Sequence, residues 1–210
     1  MIINLKLKHL HIHVPKTGGT SFRDMMVKNG WEGKTPHSTL DNLKYEENWE
    51  QYINFNRSIM IRNPWEHAVS FYGYLLNKKI FNIRDFDKNR KDFELKPEDI
   101  TYEDVTFKKY IKNSYKDRHF QSYYTKEFLD LGLTFNQWFD YSNFEDMLIY
   151  FENNYNLKLN RDIRIHDKKT FEYVIDFDVL KPYQYYYDDE TYDIVKNLSK
   201  KEIEIFDYKF

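Results

Sequence analysis

The sequence predicts an α/β fold built on a central, mainly parallel β-sheet flanked by helices. Two observations carry this. A short alternating strand breaks at a proline and a glycine pair before a helix, and a second apolar run stops at Arg-Asn-Pro before another helix. Helical periods recur further along the chain. With 210 residues, the chain suits a single domain spanning 1–210.

Leu10, Ile12 and Val14 alternate with His9, His11 and His13, the period of a strand. Pro15 ends it and Gly18-Gly19 turn the chain. Thr20 or Ser21 is expected to cap the next helix, which carries Phe22, Met25 and Met26. A short extended piece is expected near Trp31 to Pro36, then a helix around Leu40 to Trp49. The run Ser58-Ile59-Met60-Ile61 reads as a buried strand. Pro64 then opens a helix with Trp65, Ala68, Val69, Tyr72 and Leu75 or Leu76 on one face. Residues 77–100 are charged and aperiodic, so a long loop is expected there. Helices are expected at Tyr102 to Asn113 and Asn143 to Asn154, with a strand within Leu133 to Tyr141. Residues 157–169 read as loop. A last helix or helix pair runs from Asp188 to Ile205, before the aromatic tail Phe206 to Phe210.

Composition narrows the function classes. Net charge is −2, so no general field attracts polyanions, no nucleic-acid partner is expected, and any anion needs a local site. The chain has no cysteine, which excludes disulfides, thiolate zinc sites and cysteine nucleophiles. Met1 to Val14 contains no apolar stretch of signal-peptide length, and no window approaches a membrane span. A soluble, cytoplasmic protein is therefore expected. The 19 Tyr and 17 Phe offer ring faces, although a composition rich in Asn, Lys and Ile and poor in Ala accounts for them as well. Lys78, Lys79, Arg84, Lys88, Arg90 and Lys91 interleave with Asp85, Asp87 and Asp92, the pattern of a solvated loop and not of a polyanion groove.

The stretch from His13 to Ser21, H-V-P-K-T-G-G-T-S, carries the strongest chemical signal. Glycines let backbone approach an oxyanion without a Cβ between them. Loop amides and the helix N-terminus then point at the anion, with the helix dipole assisting. Lys16 adds a full charge, and Thr20 and Ser21 add hydroxyls. Lys16 precedes the glycines, so this is not the G-x-x-x-x-G-K-[ST] nucleotide loop. The second stretch, Ile59 to Tyr72, places Arg62 at the carboxyl end of a strand, where α/β sheets bind ligands. Ser70 follows eight residues on, about two helical turns into the next helix. A guanidinium and a hydroxyl so placed could share one phosphate.

Together these stretches resemble the carbohydrate sulfotransferases of the heparan sulfate 2-O-sulfotransferase-like group, including its small bacterial and viral members. Those enzymes use 3′-phosphoadenosine 5′-phosphosulfate (PAPS). Their fingerprints read like H-I-P-K-T-G-G-T-S and V-R-N-P-W-x-R-x-V-S-x-Y, matched by His13 to Ser21 and Ile61 to Tyr72, with His67 where Arg is usual. The stretches Tyr183 to Thr191 and Ile205 to Phe210 also look like that family's close. The resemblance implies a P-loop-like three-layer fold. It implies that Lys16, Thr17, Gly18, Gly19, Thr20 and Ser21 hold the 5′-phosphosulfate, and that Arg62 and Ser70 hold the 3′-phosphate. The tyrosine-rich close either serves the fold or covers the nucleotide. The acceptor implied is a hydroxyl, on a carbohydrate, with Lys16 easing charge on the leaving phosphate and no metal required.

Transfer also needs a base, and histidine suits proton abstraction near neutral pH. His37, in T-P-H-S-T-L between the two anion stretches, is the residue the resemblance implies, and His13 is the runner-up. His11 with His13 is a weak zinc signal, with no obvious third ligand. Two rivals stand beside this reading. A nucleotide kinase needs a lysine after the glycines and a magnesium-binding carboxylate. A binding protein of the same fold would hold nucleotide or glycan without turnover.

Overall fold

The computed structural model describes residues 1–33, 49–77, 105–161 and 182–210. In chain order its elements begin with β1 (Ile2–Asn4), β2 (His9–Ile12), α1 (Gly19–Lys28), β3 (Glu32–Gly33) and β4 (Asn56–Ile61). α2 (Pro64–Asn77), a short α3 (Phe107–Tyr110) and a π-helix (Ile111–His119) follow. Then come α4 (Tyr123–Asp130), β5 (Gln137–Asp140), α5 (Phe144–Tyr155), α6 (Asp189–Leu198) and α7 (Lys200–Phe206). The chain divides into two compact units, Met1–Arg62 with Tyr123–Asp167, and Asn63–Ser122 with Lys168–Phe210.

The first unit holds a five-stranded sheet in the order β3-β1-β2-β4-β5. It is mixed, which corrects the expectation of a mainly parallel sheet. β2, β4 and β5 run parallel, whereas β1 pairs antiparallel with both β2 and β3. The cause is the opening Met-Ile-Ile-Asn, a strand too short to read from pattern. It turns back at residues 5–8, where the Asn4 side chain accepts from Leu7 N–H at 2.9 Å. Phe22, Met25 and Met26 of α1 and Met147, Leu148 and Phe151 of α5 pack in one core with Met60 and Phe139. Arg57, which sequence reasoning passed over, ties the strand starts together. Its guanidinium donates to Thr134 O at 2.8 Å, Ile53 O at 2.6 Å and Phe55 O at 2.9 Å, so three carbonyls face this buried charge.

Outcomes for the remaining expectations follow from local chemistry. The strand near Ser58 extends back to Asn56, the piece near Trp31 contains β3 with residues 34–36 outside the described residues, and Leu133 to Tyr141 contains β5. Trp49 opens a 3₁₀ stretch to Asn54, and the rest of the helix expected there, with His37, lies outside the described residues. Residues 78–100 and 162–169 of the expected loops lie outside them too. Helix α4 carried no clear period and was not expected.

The second unit is all helix among its described residues. Asn63 starts α2 by accepting from Trp65 N–H at 3.1 Å, with Pro64 in the first turn as expected. Of the helix expected at Tyr102 to Asn113, residues 102–104 lie outside the described residues. Thr106 caps α3, which widens into the π-helix as far as His119. Tyr110 and Tyr115, five residues apart, are both buried, and a 3.6-residue template does not find that spacing. Asp188 and Thr191 form a reciprocal capping box on α6, and the expected last helix breaks at Ser199 into α6 and α7. Tyr183, Tyr186 and Tyr187 pack against the core with Trp65 and Tyr72, and Tyr187 Oη donates to Trp65 O at 2.9 Å, so these tyrosines serve the fold.

Glu202 of α7 is buried in this unit, and Ser122 Oγ donates to its Oε1 at 2.5 Å. Burial raises its pKa. The folded form therefore keeps a proton that the unfolded chain releases, and stability is lost as pH rises through that raised value. Glu202→Gln should unfold at higher urea than the parent at pH 8, with the gain vanishing near pH 4.5. The gain should grow by at most about 1.4 kcal/mol per pH unit. Equal urea curves at pH 8 would show that Glu202 ionises freely. Among the described residues no helix is long and apolar enough to cross a membrane.

Candidate functional site

Three parallel strands end side by side, and the residues after each one converge on their carboxyl edge. β2 pairs with β4 through Ile12↔Ile59, and β4 pairs with β5 through Ile61↔Asp140. Beyond these ends lie the loop 13–18, Arg62 and Tyr141, in the position where open α/β sheets present ligand sites.

The loop is shaped by its own side chains and by two left-handed residues. Thr17 Oγ1 donates to Val14 O at 2.8 Å, so this buried hydroxyl closes the turn and is turned away from solvent. Lys16 has φ 66° and Gly18 φ 75°. A residue with a Cβ rarely adopts such a φ, and strain of this kind, about 1–2 kcal/mol, concentrates at functional loops. α1 begins at Gly19 with Gly18 in the capping position, which corrects the expectation that Thr20 or Ser21 caps it. Both hydroxyls lie instead inside the first turn, Ser21 buried and Thr20 half-buried. Gly18 has no side chain with which to cap, and no acidic residue occupies the first turn. The helix thus presents first-turn amides and the positive end of its dipole with no carboxylate competing for them.

Close packing explains both glycines. A Cβ on Gly18 would come 3.0 Å from Phe144 Cε2 and 3.1 Å from Tyr141 Cε2. A Cβ on Gly19 would fall 2.0 Å from His13 Cδ2, inside the ring's van der Waals surface. His13 is buried and its ring sits against that backbone, so it acts as packing beneath the loop. Half-buried Arg62 stands with its guanidinium carbon 4.9 Å from the Tyr141 ring centroid, a cation–π contact. One tyrosine ring therefore touches both the Gly18 position and Arg62. Summed bond lengths and contacts place the guanidinium carbon within about 11 Å of Gly18 Cα. Asp140, the nearest carboxylate in sequence, accepts from Ser142 N–H at 2.8 Å and starts the turn that carries Tyr141.

The structure thus brings Lys16, Thr17, Gly18, Gly19, Thr20, Ser21 and Arg62 to one edge of one unit. Ser70 lies on α2 in the second unit and is almost wholly buried, as is His67, whose Nδ1 is 3.4 Å from Tyr115 Oη. Sequence reasoning missed Tyr141 and Phe144. No local pattern marks them, and only the register of β5 beside β4 brings them to the loop. Behind the site, His9 Nε2 and His11 Nδ1 lie 2.8 and 2.9 Å from Ser58 Oγ, and Tyr155 Oη bonds His9 Nδ1. Burial lowers the His9 pKa to about 4 and that of His11 well below its ordinary value. The arrangement can hold a multiply charged anion by backbone amides, one lysine and one arginine.

No protein-family model, curated protein or solved structure matches the chain.

Proposed function

We propose that this chain is a PAPS-dependent sulfotransferase acting on a hydroxyl, that of a carbohydrate, within a P-loop-like three-layer fold. One observation carries the reading. A left-handed lysine–glycine loop and an arginine meet the same tyrosine ring at the carboxyl edge of three adjacent parallel strands. The loop and α1 would take the 5′-phosphosulfate, and Arg62 would take the 3′-phosphate. A nucleotide bearing phosphate on both sides of its ribose would set one anion on the loop and the other on Arg62. In transfer, the acceptor oxygen bonds sulfur as the bond from sulfur to the bridging phosphate oxygen breaks. Lys16 and the loop amides stabilise the charge on that oxygen, and His37 takes the hydroxyl proton.

The test is thermal. A ligand at a hundred times its Kd adds about 2.7 kcal/mol of stability. Adenosine 3′,5′-bisphosphate should raise the melting temperature well above what ATP with magnesium achieves. Lys16→Ala and Arg62→Ala should each weaken the bisphosphate about ten- to hundredfold, the range for a lost charge-assisted hydrogen bond. His37→Ala should bind it normally and transfer no labelled sulfuryl group. A larger shift with ATP and magnesium would remove the sulfotransferase reading in favour of a kinase. Binding of the bisphosphate with no turnover on a broad hydroxyl panel would favour a binding protein.

A further inference from the structure

We propose that Tyr141 is a positioning residue that aims Arg62 at an anion seated on the glycine loop. It thereby sets the preference for a nucleotide phosphorylated on both sides of its ribose. This rests on the reading given under Proposed function. An arginine side chain has several soft torsions, and a strand end alone does not fix where its guanidinium points. A flat ring beneath the guanidinium supplies that constraint, because the cation lowers its energy only while it stays over the ring face. Tyr141 suits the task on three counts. It follows directly on β5, beside Arg62, which follows directly on β4, so sheet register fixes the two backbones relative to each other. Its own backbone is held in a 3₁₀ turn started by the Asp140 side chain. Its ring edge lies against Gly18, so a shift of the ring would move the loop and Arg62 together. Tyr141 itself lies in neither the lysine–glycine nor the Arg-Asn-Pro stretch.

The experiment compares Kd for adenosine 3′,5′-bisphosphate and adenosine 5′-monophosphate by calorimetry. The proteins are the parent, Tyr141→Phe, Tyr141→Leu, and the chain carrying 3,4,5-trifluorophenylalanine at 141. Fluorination empties the ring face of negative potential while keeping its shape, so that variant reports even if Tyr141→Leu does not fold. Tyr141→Phe should keep the parent's preference for the bisphosphate. The trifluoro ring and leucine should reduce it about five- to tenfold while monophosphate binding changes little. A parent with no preference for the bisphosphate would remove the functional reading itself. A preserved preference in the trifluoro chain, with the parent's preference intact, would remove only the role of Tyr141. Equal weakening of both nucleotides would also overturn it, since the ring would then merely support the loop.

Discussion

Lowering the pH from 7.5 to 5 should cost the first unit several kcal/mol of stability, because it buries two neutral imidazoles beside one serine. His9 and His11 are fully buried, next to Phe22, Trp31, Phe151 and Tyr155, and they share Ser58 Oγ across β2 and β4. Neutral rings satisfy the chain from Tyr155 through His9 and Ser58 to His11, with each hydroxyl and ring N–H donating in one direction. Burial holds the His9 pKa at about 4, against 6.5 for an exposed imidazole. The sign follows from proton counts. Below pH 6.5 the unfolded chain takes up a proton that the folded chain refuses, so stability is full above that pH and drains as pH falls toward 4. His9 alone accounts for about 2 kcal/mol between pH 7.5 and 5, and His11 pulls the same way. Against a usual total of about 5–15 kcal/mol, that is a large share. Urea unfolding at the two pH values measures it, and His9→Gln should shrink the difference by about 2 kcal/mol. Comparing the difference, not the absolute stability, cancels other groups that titrate in this range. Unchanged urea midpoints for the parent would show that the rings are not buried neutral.

That pair also marks where the sequence stops being informative. Alternation of His9, Leu10, His11 and Ile12 identifies a strand, but alternation cannot say that both faces are covered. It cannot find Ser58 either, which lies 49 and 47 residues from the two rings. The lysine–glycine loop and the Arg62-Asn63-Pro64 strand end were legible because Pro, Gly and Asn act locally on backbone geometry. β1 was not legible, since three residues hold no period, and that one strand changes the sheet from parallel to mixed. Tyr141 shows the same limit at the candidate site. Its position beside Arg62 comes from the register of two strands separated by more than seventy residues, a tertiary property with no local signature. The capping expectation failed for a different reason. Thr20 and Ser21 have good capping chemistry, yet α1 begins at Gly19 with its cap at Gly18, two residues before Thr20, and at Gly19 only a bare Cα fits against His13.

Gly19→Ala should therefore be among the most damaging single-methyl substitutions in the first unit. The added carbon would sit 2.0, 2.3 and 2.7 Å from Cδ2, Nε2 and Cγ of His13, distances that no rotamer of alanine can relieve. Either the buried imidazole leaves its place or the first turn of α1 shifts outward. Overpacking of this kind costs about 1–3 kcal/mol and sometimes more, and a ring held on all sides belongs at the upper end. The same shift would move the first-turn amides, so under the proposed function any melting-temperature gain from adenosine 3′,5′-bisphosphate should disappear with it. His13→Ala separates the causes. Alone it leaves a cavity and costs stability. Combined with Gly19→Ala it frees the space the methyl needs, so the double variant should be more stable than the sum of the two losses implies by about 1 kcal/mol or more. Strict additivity in that cycle, or a Gly19→Ala chain as stable as the parent, would mean that His13 does not pack on the loop. His13 would then return as a candidate for the base in the proposed transfer.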